Sequence, residues 1–181
     1  VNEKFVDIPG WKGLYQISNL GRVKSLARPL FNGAGYFKSK EQILKTSKNI
    51  NGYLSLRLCG SGERYKVDVS RLMKLAFFNN SKLEIDHING DKTDNRLDNL
   101  RLCTHSQNHF NIKKAGRCSS RFKGVYFIKK TNRWCARITV KGKTYRLGNF
   151  CTEEDAAKAY DVEAKKRCGG FAVLNLSSEK S

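Results

Sequence analysis

The chain has 181 residues, with 35 Lys plus Arg against 16 Asp plus Glu for a net charge of +19, and 39% of its residues are hydrophobic. That is room for one ordinary domain or two to three small ones. Such a surplus of positive charge calls for a polyanionic partner, nucleic acid or an anionic surface, and excludes small cations as main ligands.

No window approaches the roughly 18 to 20 apolar residues of a spanning helix. The start, VNEKFVDIPGW, has no signal-peptide core. The expectation is therefore an intracellular, non-secreted protein without a membrane partner. Six cysteines (59, 103, 118, 135, 151 and 168) include no C-x-x-C pair, so they are expected as reduced thiols rather than disulfides or a zinc site.

The charge is unevenly placed: the net is +9 over 1–81, +1 over 82–116, +10 over 117–150 and −1 over 151–181. Two basic segments thus flank a nearly neutral one that holds all three histidines, His87, His105 and His109. This is the layout of a chemical centre held on a polyanion from both sides.

In chain order, WKGLYQISNLGRVKSL from Trp11 reads as two short strands joined at Ser18 to Gly21. Asn51-Gly52 signals a hairpin before a strand in which Leu54, Leu56 and Leu58 alternate with Tyr53, Ser55, Arg57 and Cys59. A helix is expected over 69–78, with Leu72, Leu75 and Ala76 on one face and Arg71 and Lys74 on the other.

Residues 83–88 form a strand ending in Asn89-Gly90, a loop rich in Asp and Asn follows, and 100–103 return as a second strand. Thr104 and Gln107 have the spacing of a capping box, so a helix starts there, with Asn108 in its first turns. A strand pair followed by a helix can gather Asp86, His87 and Asn108.

Further on, Arg133, Cys135, Arg137, Thr139 and Lys141 alternate with Trp134, Ala136, Ile138 and Val140 in a half-buried strand. Gly142 turns the chain into a second strand whose exposed face is Thr144, Arg146 and Gly148. A helix capped by Thr152 follows, with Ala156, Ala157, Ala159, Tyr160 and Ala164 forming a face that can lie close on a sheet. One sheet face is covered and the other is open and basic, a surface shaped for a DNA groove.

Three resemblances follow from these residues. Trp11, Gly13, Tyr15, Ile17, Ser18, Gly21, Val23 and Ser25 resemble the small modular DNA-binding motif that precedes the nuclease core of many phage and intron-encoded HNH endonucleases. It implies a DNA contact in which Arg22, Lys24 and Arg28 touch phosphate, and Arg57, the cation on the later strand's exposed face, is also expected toward DNA; Trp11 and Tyr15 are either core aromatics or part of that contact.

Asp86, His87, Asn89, Gly90, Asp91, Asp94, Asn95, Asn99, Leu100 and Arg101 resemble the HNH core, the ββα-metal fold, in its homing-endonuclease branch. The resemblance implies His87 as general base, Asp86 and Asn108 as ligands of one divalent cation, magnesium or manganese, and Asn99 as the residue that ties the loop and orients the His87 ring. Ser70 stands where this branch often has histidine. His105 and His109 have the i, i+4 spacing of a zinc pair, but no Glu follows His105 and no Cys pair completes a site, so no zinc is expected.

Gly124, Val125, Trp134, Ala136, Leu147, Gly148, Phe150, Ala156, Ala157, Tyr160, Asp161, Ala172 and Asn175, among others, resemble the plant APETALA2-type DNA-binding domain. It implies Lys123, Tyr126, Arg133, Arg137, Thr139, Lys141, Lys143, Thr144 and Arg146 toward DNA, with Trp134 and Tyr160 in the core.

The sequence thus reads as an α+β chain of three parts. An N-terminal small antiparallel sheet module spans 1–65. A ββα-metal nuclease core with its preceding helix spans 66–116. A three-stranded antiparallel sheet packed on one helix spans 117–181. The function these parts imply is a site-selective DNA endonuclease, monomeric on double-stranded DNA without a small-molecule cofactor, in the cytoplasm of a bacterial or phage-infected cell. The alternative is a DNA-binding regulator with a relic nuclease core.

Overall fold

The computed structural model describes residues 2–31, 33–60, 62–111 and 119–176. Its elements run β1 (Phe5–Asp7), β2 (Tyr15–Ser18), β3 (Val23–Ser25), β4 (Pro29–Phe31), β5 (Tyr36–Lys38), β6 (Gln42–Ile43), β7 (Ser47–Lys48), β8 (Leu54–Gly60), β9 (Glu63–Asp68) and α1 (Val69–Phe77). Then come β10 (Glu84–His87), β11 (Leu100–Cys103), α2 (His105–Asn111), β12 (Val125–Ile128), β13 (Arg133–Val140), β14 (Lys143–Phe150) and α3 (Glu153–Cys168). The described sheets are antiparallel.

Two compact units are formed, 1–102 and 103–181, rather than three. The sequence-based boundary at 65/66 falls inside the first unit, because one hydrophobic core runs through it. Ile8, Tyr15, Ile17 and Val23 pack with Leu56, Leu58, Val69, Leu72, Met73 and Leu100. A sheet of three- and four-residue strands buries too little alone. The N-terminal strands therefore share their apolar face with α1 and the start of β11. The boundary at 116/117 lies outside the described residues.

Several sequence expectations hold here. β2 and β3 meet through a Ser18–Gly21 turn, in which the Ser18 hydroxyl accepts from Leu20 N (3.2 Å) and Arg22 N (3.1 Å). β8 pairs with β7 through the Asn51-Gly52 turn, with Gly52 at φ +83°. Trp11 and Tyr15 are core aromatics. Tyr15 is 3% exposed, and its hydroxyl accepts from Cys59 N at 2.9 Å. Trp11 packs edge-on against both Tyr15 and Tyr65.

In the second unit, β12, β13 and β14 form a sheet in that order and α3 covers one face. Ala156, Ala157, Tyr160 and Ala164 are buried on it, as the small-residue face implied. Thr152 caps α3 by accepting from Asp155 N at 3.1 Å. Asp161 accepts from Asn175 N and Leu176 N, both at 2.8 Å, and Asn175 in turn bonds the backbone of Lys123 on both sides. These two side chains latch the end of the described chain to the start of the sheet. Burial pushes the Tyr160 hydroxyl up to about 12.

Two expectations for this sheet are corrected. A register shift at Ala136/Arg137 pairs Ala136 with Gly148 but Arg137 with Arg146, leaving Leu147 as an extra residue. The exposed row on β14 therefore continues from Arg146 to Asn149, not Gly148. Cys135 belongs to the open face by alternation yet is buried, because this small side chain lies between its cross-strand partners Tyr126 and Asn149. Cys59, Cys103, Cys135, Cys151 and Cys168 are not joined in disulfides among the described residues, and Cys118 lies outside them.

Gly124 shows how close α3 lies. At φ +74°, a Cβ there would stand 2.2 Å from the Tyr160 ring and 2.5 Å from Arg137 O. Gly124→Ala is expected to destabilise the chain by about 2 kcal/mol or more, from combined overpacking and backbone strain. An unchanged urea-unfolding midpoint would contradict this packing.

Candidate active site

Asp86 and His87 end β10, and Asn99 immediately precedes β11, so the hairpin brings three of the four expected catalytic residues together. All three are buried, at 5%, 5% and 6% exposure. The loop between the strands is held by side chains rather than by strand pairing. Asn99 Nδ2 donates to Asn89 Oδ1 (3.0 Å) and to Asp94 O (2.8 Å), while its Oδ1 accepts from Asn89 N (3.1 Å). Asn89 Nδ2 reaches Asp94 Oδ2 at 2.9 Å. Hydrogen bonds from Thr93 hold the Asp91 carboxyl below its usual range, and Arg96 does the same for Asp94. Gly90 takes φ +74° in the turn after His87.

Asp86 is oriented by Arg101, whose Nε and a terminal nitrogen both lie 2.9 Å from Asp86 Oδ2. Arg101 points across the strand pair from β11, which explains its place in the sequence pattern.

Asn99 ties the loop, as expected, and Asn95 bonds the His87 ring, with Oδ1 3.2 Å from Nε2. Asn95 is 4% exposed and its Nδ2 donates to Thr93 O at 3.3 Å. A carbonyl can only accept, so that bond fixes which end of the amide faces the ring. Nε2 therefore carries the proton, and a neutral His87 keeps its lone pair on Nδ1. Tyr53 lies beside the ring, centroids 6.0 Å apart. Asn95 was visible only as one of several loop asparagines, and nothing in spacing separates its role from that of Asn99.

Asn108 lies in α2, in the second unit, where its backbone N donates to Thr104 O at 3.0 Å. The capping box ahead of it is formed: Thr104 N donates to Gln107 Oε1 (2.8 Å) and Gln107 N to Thr104 Oγ1 (3.3 Å). Phe110 of the same helix packs against Ile138, Tyr160, Ala164 and Cys168. Ser70, at the position where histidine is common, is buried in α1.

The expected DNA-contacting residues divide into three groups. Arg57 is exposed on β8 opposite Lys66, and Arg137 is exposed on β13 opposite Arg146. Arg133, Thr139, Lys141, Lys143 and Thr144 are also exposed, and Tyr126 lies under the Arg137 guanidinium, 5.0 Å from ring centroid to Cζ. A second group already holds partners: Arg22 pairs with Glu3, and Lys24 lies 3.1 Å from Glu41 and over the Phe5 ring. Lys123 is the exception. Its Nζ donates to Phe110 O at 2.8 Å and burial pushes its pKa down, so it faces α2 rather than the open sheet surface. Lys123, two residues before β12, is held there by the latch to Asn175.

Two stretches of the chain match known protein families. Residues 3–59 match the family model described as NUMOD4 motif, and residues 80–110 match that described as HNH endonuclease. An uncharacterized HNH endonuclease, L560, of Acanthamoeba polyphaga mimivirus is 39% identical over 95 residues, covering 52% of this chain and 48% of that protein. Another from the same virus, L247, is 34% identical over 110 residues, 58% of this chain and 24% of that protein. The chain thus spans half or less of the length of these relatives. APETALA2-like protein 2 of Oryza sativa is 42% identical over 59 residues, 33% of this chain and 14% of that protein. A solved structure of DNA binding and cleavage by the HNH homing endonuclease I-HmuI aligns with a TM-score of 0.47 at 31% identity, over 60% of this chain and 56% of that one. Residues 3–59 are thus similar to the NUMOD4 motif, and residues 80–110 to HNH endonucleases.

Proposed function

We propose that this protein is a site-selective DNA endonuclease, in which the HNH hairpin cleaves a phosphodiester bond while basic surfaces of both units bind the duplex. The observation that carries the reading is the buried His87 ring, bonded through Nε2 to Asn95, so that its Nδ1 lone pair suits it to take a proton from an attacking water.

Asp86 and Asn108 are the proposed protein ligands of one divalent cation. Both offer hard oxygen donors, which fit magnesium or manganese better than zinc. Among the described residues no three His, Cys, Asp or Glu side chains gather as a metal site, so further ligands would be water and the substrate phosphate. The ion, when bound, would stabilise charge on the scissile phosphate and the departing oxygen. Arg101 fixes the direction of the Asp86 carboxylate, and Asn99 keeps the loop backbone closed around His87.

The C-terminal sheet and α3 are proposed as an APETALA2-type DNA-binding module, supported by the three-strand, one-helix architecture and the likeness to the plant proteins. Electrostatics supports binding of a polyanion on both units. Arg57 faces Lys66 and Arg137 faces Arg146 directly across strand pairs. Like charges so placed destabilise a sheet. A phosphate backbone removes that repulsion and makes affinity salt-dependent.

Supercoiled plasmid is expected to be nicked by the full chain with magnesium or manganese, to survive intact with chelator, and to be nicked at least about 100-fold more slowly by His87→Ala. Binding at low salt without cutting under any divalent ion would instead favour the DNA-binding regulator. Arg137→Ala or Arg146→Ala should lower the slope of log affinity against log salt by about 0.9 for each phosphate no longer neutralised. Because a repulsive pair is removed, stability should stay level or rise by a few tenths of a kcal/mol, roughly. A drop in stability with an unchanged salt slope would make these arginines structural.

A further inference from the structure

We infer that the NUMOD4 segment is a positioning element of the nuclease centre: its Asn19–Gly21 turn and its Tyr53 together hold the His87 imidazole. The inference rests on the reading of His87 as the general base.

The ring bonds Asn95 and lies beside Tyr53. Each of these leads back to the N-terminal segment. Asn95 sits under the Ser18–Gly21 turn so tightly that a Cβ on Gly21 would lie 2.8 Å from both Asn95 Cβ and Asn95 O. Gly21 is also at φ +76°, so the position requires glycine for its backbone and for the approach to Asn95. Two residues beyond Asn95, Leu97 N donates to Asn19 O at 2.8 Å. The Asn19 side chain anchors that turn in its own segment, accepting from Lys4 N (2.8 Å) and donating to Asn2 O (3.2 Å).

Tyr53 follows the Asn51-Gly52 turn at the start of β8. Its ring carries the Lys92 ammonium 4.6 Å from the centroid, and the same Lys92 Nζ donates to Asn51 O at 3.0 Å. Lys92 belongs to the HNH loop, so the loop and the hairpin tip grip each other beside Tyr53. These contacts to His87 are thus secured by separate turns of one segment, 3–59.

A segment that served only as a DNA tether would need exposed cations and no contact with Asn95. The close approach of Gly21 gives no benefit to DNA binding, since Asn95 is buried. Its effect is to fix the carboxamide that selects the Nε2–H tautomer and so directs the Nδ1 lone pair. Small displacements of a catalytic group cost large factors in rate while leaving ground-state binding alone.

The test uses the full chain, supercoiled plasmid with magnesium at saturating protein, and separately a fluorescent duplex in chelator for affinity. Asn95→Ala and Gly21→Ala should each slow nicking roughly 10- to 100-fold at saturation with duplex affinity unchanged. Asn95→Asp keeps the accepting oxygen and should recover most of the Asn95→Ala loss. Should the Gly21 or Asn95 variants fail to fold, as seen by circular dichroism, Tyr53→Leu against Tyr53→Phe decides, with slowing by the first and recovery by the second. A readout independent of cleavage is ¹⁵N NMR of the histidines in the metal-free protein at one fixed, mildly alkaline pH. His87 should show the Nε2–H tautomer in the wild type and a mixture in Asn95→Ala. Wild-type nicking by Asn95→Ala, a loss explained wholly by weaker duplex binding, or an unchanged tautomer would overturn the inference. A wild-type chain with the expected tautomer that never nicks would overturn the nuclease reading and leave the positioning contacts standing.

Discussion

The Asn99 carboxamide is the constraint on which the β10–β11 hairpin depends. β10 and β11 are four residues each and enclose a loop of twelve, far too long for strand pairing alone to shape. Asn99 commits both amide donors and its oxygen to that loop, reaching Asn89 and Asp94. Such closure removes much of the conformational entropy that a polar loop would otherwise keep. With the loop closed, Asn95 comes under the N-terminal turn and His87 acquires its partner.

This explains why a segment that reads as a separate module is structurally inseparable from the hairpin. The N-terminal strands cannot cover their own apolar face, and the hairpin cannot hold its own loop against solvent. Joined, they share one core through Ile17, Val23, Leu72 and Leu100, and one polar seam through Asn19, Gly21, Asn95 and Leu97. The second unit is the opposite case: a sheet of three strands, two of them long, covered by a sixteen-residue helix, builds its own core around Ala156, Ala157 and Tyr160. Its open face can then carry unbalanced charge, such as Arg137 opposite Arg146.

Local chemistry made much of this legible in the residues alone. The capping box at Thr104 and Gln107, the Thr152 cap, the turns at Gly21 and Gly52 and the strand limits of 100–103 depend on neighbours within a few positions, and all formed as expected. The motif spacing located Asp86, His87 and Asn99 on one hairpin. Gly148 departed from strict alternation because a single extra residue shifts the register, and a bulge leaves no mark in the hydrophobic pattern.

What the sequence determined by itself was the set of parts: a basic chain, its short strands and capped helices, and a cluster of Asp, His and Asn with the residue types for phosphodiester chemistry. Tertiary structure alone decided which asparagine bonds the His87 ring, that Lys123 turns inward, and that residues 1–102 form one unit. Each of these is settled by a contact between residues far apart in the chain: Gly21 on Asn95, Lys123 on Phe110 and Asn175, Val23 in one core with Leu100. Such contacts depend on how faces meet in three dimensions, for which periodicity and local spacing carry no signal.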